Sequence, residues 1–216
     1  MTVKTLIAVL ALPLLAAAGP EPVGAPLVAA DRALEMAARQ SGEWTAFRAA
    51  ALPQTELFVP QRVRLLEFGR GQADPAVSTR WKPQQVWTSC DLSVGVTFGK
   101  WWLPGTRQHG WYETVWVRTR GGGYRILLRR AGPEQRKLYA RPGLKGVRAA
   151  CAGRPPLPIA APAEGIDRRI GASGDQTLVW TSSVDSSGGV RIEVAAWDGT
   201  AHVPVLEDVA PRAIAR

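Results

Sequence analysis

"WTSCDLSVGVTFGKWWLP", residues 87–104, is the stretch on which the reading of this chain turns. Apolar and small polar residues alternate with a period of two, the pattern of strands rather than helices. Val86, Thr88 and Cys90 face one way, Trp87 and Ser89 the other. Asp91 marks a tight turn, where a short carboxylate caps its own backbone. Beyond it Leu92, Val94, Val96 and Phe98 form one face, while Ser93, Gly95, Thr97 and Gly99 form the opposite one. Trp101 and Trp102 are neighbours on a strand and so point to opposite faces, which sets one of them near a rim or an interface.

The pattern extends in both directions. "WYETVWVRTRGGGYRILLRR" (111–130) reads as two further strands joined at Gly121-Gly122-Gly123. Upstream, residues 30–52 read as a helix. Ala33, Ala37, Trp44, Phe47 and Ala51 recur near a 3.6-residue period, Asp31 sits at the start as a cap or first-turn acid, and Pro53 ends it. Gly42 inside this helix marks a bend. "TELFVP" (55–60) is a strand, the stretch with Leu65, Leu66 and Phe68 is helical or irregular, and "GRGQADP" (69–75) is a loop. One helix followed by four antiparallel strands is an α+β pattern.

Past Gly132 the character changes. "PEQRKLYA" is compatible with a basic helical turn or two, and "AGRPPLPIAAPAEG" (152–165) is a proline-rich, extended linker. Three strand segments follow, "TLVWTSSV", "VRIEVAAW" and "AHVPVLEDV", with Asp198-Gly199 as a hairpin turn between the last two. A unit this small is expected to pack on the first domain or extend its sheet.

At the N-terminus, Lys4, an apolar run from Leu6 to Leu15 and Ala16-Ala17-Ala18 follow the order of a secretory signal peptide. The run is shorter than the roughly 20 residues that span a bilayer. The expectation is an exported, periplasmic or secreted protein of 198 residues after Ala18. Export makes a Cys90–Cys151 disulfide chemically accessible, with two separate buried thiols as the alternative. Charge is concentrated: Arg118 to Arg148 holds ten Lys or Arg against one acid, Glu134. In an exported protein such a stretch suits anionic lipid or polysaccharide rather than nucleic acid, or is a solvated arginine face.

The motifs "AADRALEMAARQSGEWTAFRAAA", "RWKPQQVWTSCDLSVGVTFG" and "GWYETVWVRTRGGGYRILL" together resemble the exported SnoaL-like proteins of the ketosteroid-isomerase-like, nuclear-transport-factor-two-like superfamily. The resemblance covers residues 30–132. It implies a cone: a curved antiparallel sheet wrapped around a long N-terminal helix and enclosing an apolar pocket, with homodimers formed through the outer sheet face in many members. The implied organisation is a signal peptide (1–18), a linker (19–29), the cone (30–132), a basic and proline-rich connector (133–165), a β-hairpin or meander appendage (166–211) and a tail (212–216). Ketosteroid isomerases use an acidic base near the first strand with Tyr and Asp donors. Here "LFVPQRVR" holds no carboxylate, the helix has no Tyr, and the strand ending "LLRRAG" has no acid, so those roles are not carried over.

Two residues remain as candidate general bases. Glu113 shares a face with Trp111, Val115 and Val117, where burial should raise its pKa, and Arg129 on the next strand is a partner for it. A structural Glu–Arg pair is the plainer account. His109 lies in the hairpin connection "GTRQHGWYE", where a histidine is as commonly just solvated; His202 sits on a terminal hairpin. Trp44, Trp87, Trp111 and Trp116, with Arg129, are the candidate lining of a pocket for a small apolar or aromatic molecule. No motif implies a cofactor, and two isolated histidines do not make a zinc site.

The expected function is thus a non-catalytic, exported small-molecule-binding or accessory protein. An isomerase or hydrolase using Glu113 or His109 is the second reading, and an envelope-surface protein docking through residues 118–148 the third.

Overall fold

A computed structural model describes residues 22–59, 61–133, 143–153, 155–156 and 164–210. The expected signal peptide at 1–18, residues 134–142 of the basic stretch, most of the proline-rich linker and the tail from 212 lie outside these residues.

The helical segment begins earlier than its periodicity suggested and is not continuous. Helix α1 spans Ala25–Ser41 and α2 spans Glu43–Ala50, so part of the expected 19–29 linker is helical. Pro26 occupies the first turn, where its missing N–H costs nothing. Gly42 separates the helices with φ of 101°, a conformation only glycine adopts readily. Asp74, from the loop at 69–75, caps α2: Oδ1 accepts from the backbone N–H of Trp44 (2.6 Å) and of Thr45 (3.0 Å). A cap 30 residues away explains why one expected helix is two. The buried stripe of α1 is Leu27, Asp31, Leu34 and Ala38, whereas Ala33 is exposed.

Among the described residues eleven strands form two sheets, one of seven and one of four, stacked as two layers. Strands β1 (Ala51–Phe58), β2 (Arg62–Arg64), β3 (Arg80–Thr88), β4 (Val94–Trp102), β5 (His109–Arg118), β6 (Tyr124–Pro133) and β7 (Lys145–Arg148) form the larger sheet, in the order β2-β1-β6-β5-β4-β3-β7. A short helix, α3 (Leu65–Arg70), follows β2. The four middle strands form the expected antiparallel meander. The sheet as a whole is mixed, because β1 runs parallel to β6 and β7 parallel to β3. The connector is therefore not only a connector, since it supplies an edge strand. Register shifts at Pro83/Gln85 and Val115/Trp116 are bulges, which bend and twist the sheet.

The C-terminal segment forms a second sheet of four strands, not three: β8 (Ile166–Ala172), β9 (Leu178–Asp185), β10 (Val190–Trp197) and β11 (His202–Ala210), ordered β11-β10-β9-β8. Strand β8, "IDRRIGA", carries no apolar alternation because it is a largely exposed edge. This sheet packs face to face on the larger one. Trp87, Val96, Phe98, Trp111, Val115 and Leu128 meet Leu178, Ile192, Val194 and Leu206 in one core. A second core lies on the other face, between the helices and Trp81, Val86, Tyr112, Trp116 and Ile126. The outer face through which dimerisation was expected is thus occupied, over its middle, by the chain's own second sheet.

Two matching turns join the layers. "SCDLS" (89–93) and "SGDQT" (173–177) share a Ser-x-Asp-x-Ser/Thr pattern, and each bends at a residue of positive φ, Leu92 and Gln176. In each, the Asp Oδ1 accepts from the flanking hydroxyls. Each Asp Oδ2 then accepts the backbone N–H of the opposite Asp, Asp91 N to Asp175 (2.7 Å) and Asp175 N to Asp91 (3.1 Å). Beside them Cys90 and Cys151 are disulfide-bonded, with Cα atoms 5.2 Å apart and a sequence separation of 61. Replacing both cysteines by alanine is expected to lower stability by about 2–4 kcal/mol in denaturant melts. The amides of the two turns should be the first to lose protection in hydrogen exchange; unchanged stability would contradict this.

Candidate functional site

The space between helices and sheet holds a buried polar cluster. Asp31, on the inward stripe of α1, accepts from Trp81 Nε1 (2.7 Å) and from the Tyr112 hydroxyl (3.0 Å). The Thr97 hydroxyl bonds the same carboxylate, and itself accepts from Trp116 Nε1 (2.9 Å). Burial raises the Asp31 pKa, an effect opposed by the Arg129 charge and by these hydrogen bonds. The Tyr112 hydroxyl is pushed well above its ordinary value by burial and by the Asp31 charge. Arg129, on β6, donates to Thr114 Oγ1 (2.7 Å), and its guanidinium lies 4.6–5.0 Å from the ring centres of Trp81, Tyr112 and Phe47. Three aromatic faces around one guanidinium replace part of its lost hydration.

Glu113 is on the opposite face of β5, between the two sheets. The register places Arg130, not Arg129, beside it: Glu113 pairs with Arg130, and Thr114 with Arg129. Arg130 Nη1 donates to Glu113 Oε1 (3.1 Å) and also binds Asp208 on β11. Glu113 Oε2 and the nearby Trp111 Nε1 are buried without hydrogen-bond partners. Desolvation raises the Glu113 pKa to about 7, against the smaller opposing pull of Arg130. The expected Glu113–Arg129 pair is therefore corrected to a Glu113–Arg130–Asp208 cluster that ties the sheets together.

The other expected site residues do not converge. His109 is exposed at the start of β5, its Nδ1 2.8 Å from the Arg107 carbonyl. It is four residues from Glu113 on one strand, roughly 13 Å away. His202 packs against Trp197 (5.3 Å), with Nε2 2.8 Å from the Gln176 carbonyl. Trp87 and Trp111 belong to the core between the sheets, and Trp116 to the core under the helices. Trp44 meets Phe47 edge-on and Phe68 at a tilt, beside α3. Strand alternation along β5 and the bulge at Pro83/Gln85 on β3 divide the tryptophans between two cores, so no single pocket is lined by them. Among the described residues no group of three or more His, Cys, Asp or Glu could hold a metal ion.

Concave surface occurs elsewhere, at the elbow between α1 and α2. A cleft of about 360 Å³ is lined by Arg39, Gly42, Val77, Ser78, Arg80 and Pro104, among others. Arg80 is ion-paired with Glu35, while Arg39, in the last turn of α1, forms no ion pair with a described residue. Its walls join apolar side chains to guanidinium groups.

No family model and no curated protein sequence matches the chain. Solved structures similar to it include a candidate ketosteroid isomerase from Parabacteroides distasonis, 16% identical, with a TM-score of 0.41 over 49% of this chain and 86% of that one. A protein of unknown function from Pectobacterium atrosepticum is 11% identical, with a TM-score of 0.40 over 51% of this chain and 93% of the other. A cystatin-like fold protein from Burkholderia xenovorans is 14% identical, with a TM-score of 0.40 over 53% and 97%. The first of these bears the family name that the sequence motifs resemble.

The sequence reading places Asp31 as a helix cap or first-turn acid and gives no role to Tyr112, Thr97, Arg130 or Asp208. One signal was present: Asp31 falls four residues after Leu27 and three before Leu34, an acid on the apolar stripe of its own helix. Arg39, Arg80 and Pro104 come from separate segments, and no local pattern unites them.

Proposed function

We propose that this chain is an exported, non-catalytic small-molecule-binding or accessory protein whose ligand contact is the cleft at the α1–α2 elbow rather than the interior of the cone. The observation that carries this reading is the saturation of the polar cluster under the helices. Asp31 accepts from Trp81 and Tyr112, and Arg129 is held by Thr114 and three rings. A general base must reach a substrate proton at hydrogen-bonding distance, and these groups reach one another instead. Glu113 is enclosed between sheets and His109 stands apart from it, which weighs against the isomerase or hydrolase reading. The cleft is within the ordinary volume of small-ligand sites. Export is supported by the signal-like N-terminus and by the Cys90–Cys151 disulfide, which oxidising compartments favour.

The lining suits a ligand with an apolar body and one anionic group. A thermal-shift screen of small aromatic carboxylates such as benzoate and naphthoate is expected to raise the melting temperature of the wild-type protein, as mass action requires of a native-state ligand. Arg39→Ala should abolish the shift while leaving the unliganded protein as stable as before. An absence of any shift, or an undiminished shift in Arg39→Ala, would overturn the assignment.

A further inference from the structure

The second sheet does not cover the whole face of the first. Trp87, Val96, Phe98, Trp111 and Val115 are buried beneath it, while Lys82, Lys100, Trp102 and His109 on the same face are exposed. The register sets these exposed side chains, with half-buried Arg80, buried Trp111 and Gly132, in two cross-strand rows. Arg80, Trp102 and His109 form one; Lys82, Lys100, Trp111 and Gly132 form the other. Neither row contains a carboxylate. Arg80 is partly neutralised by Glu35 on α1. Lys82 forms no ion pair with a described residue, and Lys100 lies over the Trp111 ring at 5.1 Å.

Two features of the rows are hard to account for by folding alone. Lys82 and Lys100 are direct cross-strand partners, and like charges directly opposite are destabilising. Trp102 remains 38% exposed at the centre of the other row, with the Arg80 guanidinium 5.9 Å from its ring centre. An anion between the lysines would remove the first cost, and a ring packed on the indole would remove the second.

We propose that this uncovered end of the larger sheet is a binding surface for an acidic polysaccharide. Its carboxylates would pair with Lys82 and Lys100, and a pyranose ring would stack on Trp102. A chain of sugars is favoured over a lipid surface because the rows offer one exposed indole among cations and no broad apolar face. Interfacial anchoring instead depends on a broad apolar face that sinks into the headgroups. The surface differs from the basic stretch at 118–148, and it draws its charges from strands that the sequence leaves 20 or so residues apart. It meets the elbow cleft only through Arg80 and does not depend on that cleft being occupied.

Isothermal titration of the full chain with alginate oligosaccharides tests the proposal, with a neutral cello-oligosaccharide and vesicles of pure phosphatidylglycerol as the other arms. The wild-type protein is expected to bind alginate, to weaken steeply with added salt, and not to bind the neutral chain. Lys82→Glu and Trp102→Ala should each weaken binding about tenfold or more. Lys82→Glu should at the same time melt no lower than wild type, because it converts a repulsive cross-strand pair into an attractive one. Wild-type affinity in both variants, or equal binding of the neutral chain, would overturn the proposal. So would vesicle binding that depends on Lys82 without alginate binding, which would assign the surface to membranes. Benzoate responses at Arg39 are a separate readout, so failure of either site leaves the other distinguishable.

Discussion

Replacing Asp31 with alanine is expected to destabilise the protein by about 3–5 kcal/mol, because it strips buried donors of their acceptor and removes the carboxylate charge that favours buried Arg129. The substitution leaves Arg129 buried without its counter-charge, and strips Trp81 Nε1 and the Tyr112 hydroxyl of their acceptor. Asp31→Asn restores an acceptor of similar shape but not the charge, so it should recover only part of the loss. Coupling Asp31→Asn with Arg129→Met should recover most of it, since an apolar replacement of both partners avoids a lone buried charge. Urea melts of the four proteins measure these differences. A loss under about 1 kcal/mol for Asp31→Ala would show that the cluster is not holding helix α1 to the sheet.

Arg130 is the corresponding keystone between the sheets, and Arg130→Met is expected to cost a similar 3–5 kcal/mol because it leaves Glu113 and Asp208 facing each other without a cation. Glu113→Gln should behave differently, because Arg130 retains Asp208. The folded state holds the Glu113 proton to a pH of about 7, above the ordinary 4.5. Its stabilising contribution is therefore complete below about pH 4.5 and is lost as pH rises through about 7, with a total on the order of 3 kcal/mol. The Gln variant has no such proton to lose. It should melt higher than wild type at roughly pH 9, on the order of 5–10 °C for a chain of this size, and show a flatter stability profile between roughly pH 5 and 9. Parallel profiles for the two proteins would contradict the placement of Glu113 in a desolvated position.

Both clusters show why only part of the site could be read in advance. Period-two alternation correctly set Glu113 beside Trp111, Val115 and Val117, since facing along one strand is a local property. Which arginine met Glu113 depended on the register of β5 against β6, and a shift of one residue exchanges Arg129 for Arg130 along with the face each occupies. The tryptophans illustrate the same limit. Their number signalled a large aromatic core, but alternation along β5, the bulge at Pro83/Gln85 and the second sheet made it two cores, not one pocket. The helical break was half visible, in Gly42. Its other half, Asp74, acts from a loop that only folding brings to the start of α2.

The sequence by itself determined the α+β character, the four-stranded antiparallel meander, the Asp91 turn and the Asp198-Gly199 hairpin of the C-terminal segment. All of these follow from hydrophobic period and turn residues within a few positions of one another. Tertiary structure alone decided that the C-terminal strands would lie across the outer face of the first sheet. It also placed Cys90 within bonding distance of Cys151, paired "SCDLS" with "SGDQT", and left one end of the sheet bare with two lysines side by side. Each of these depends on contacts between residues distant in the chain, whose free energy comes from burial and register and leaves no periodic trace in the residues that make them.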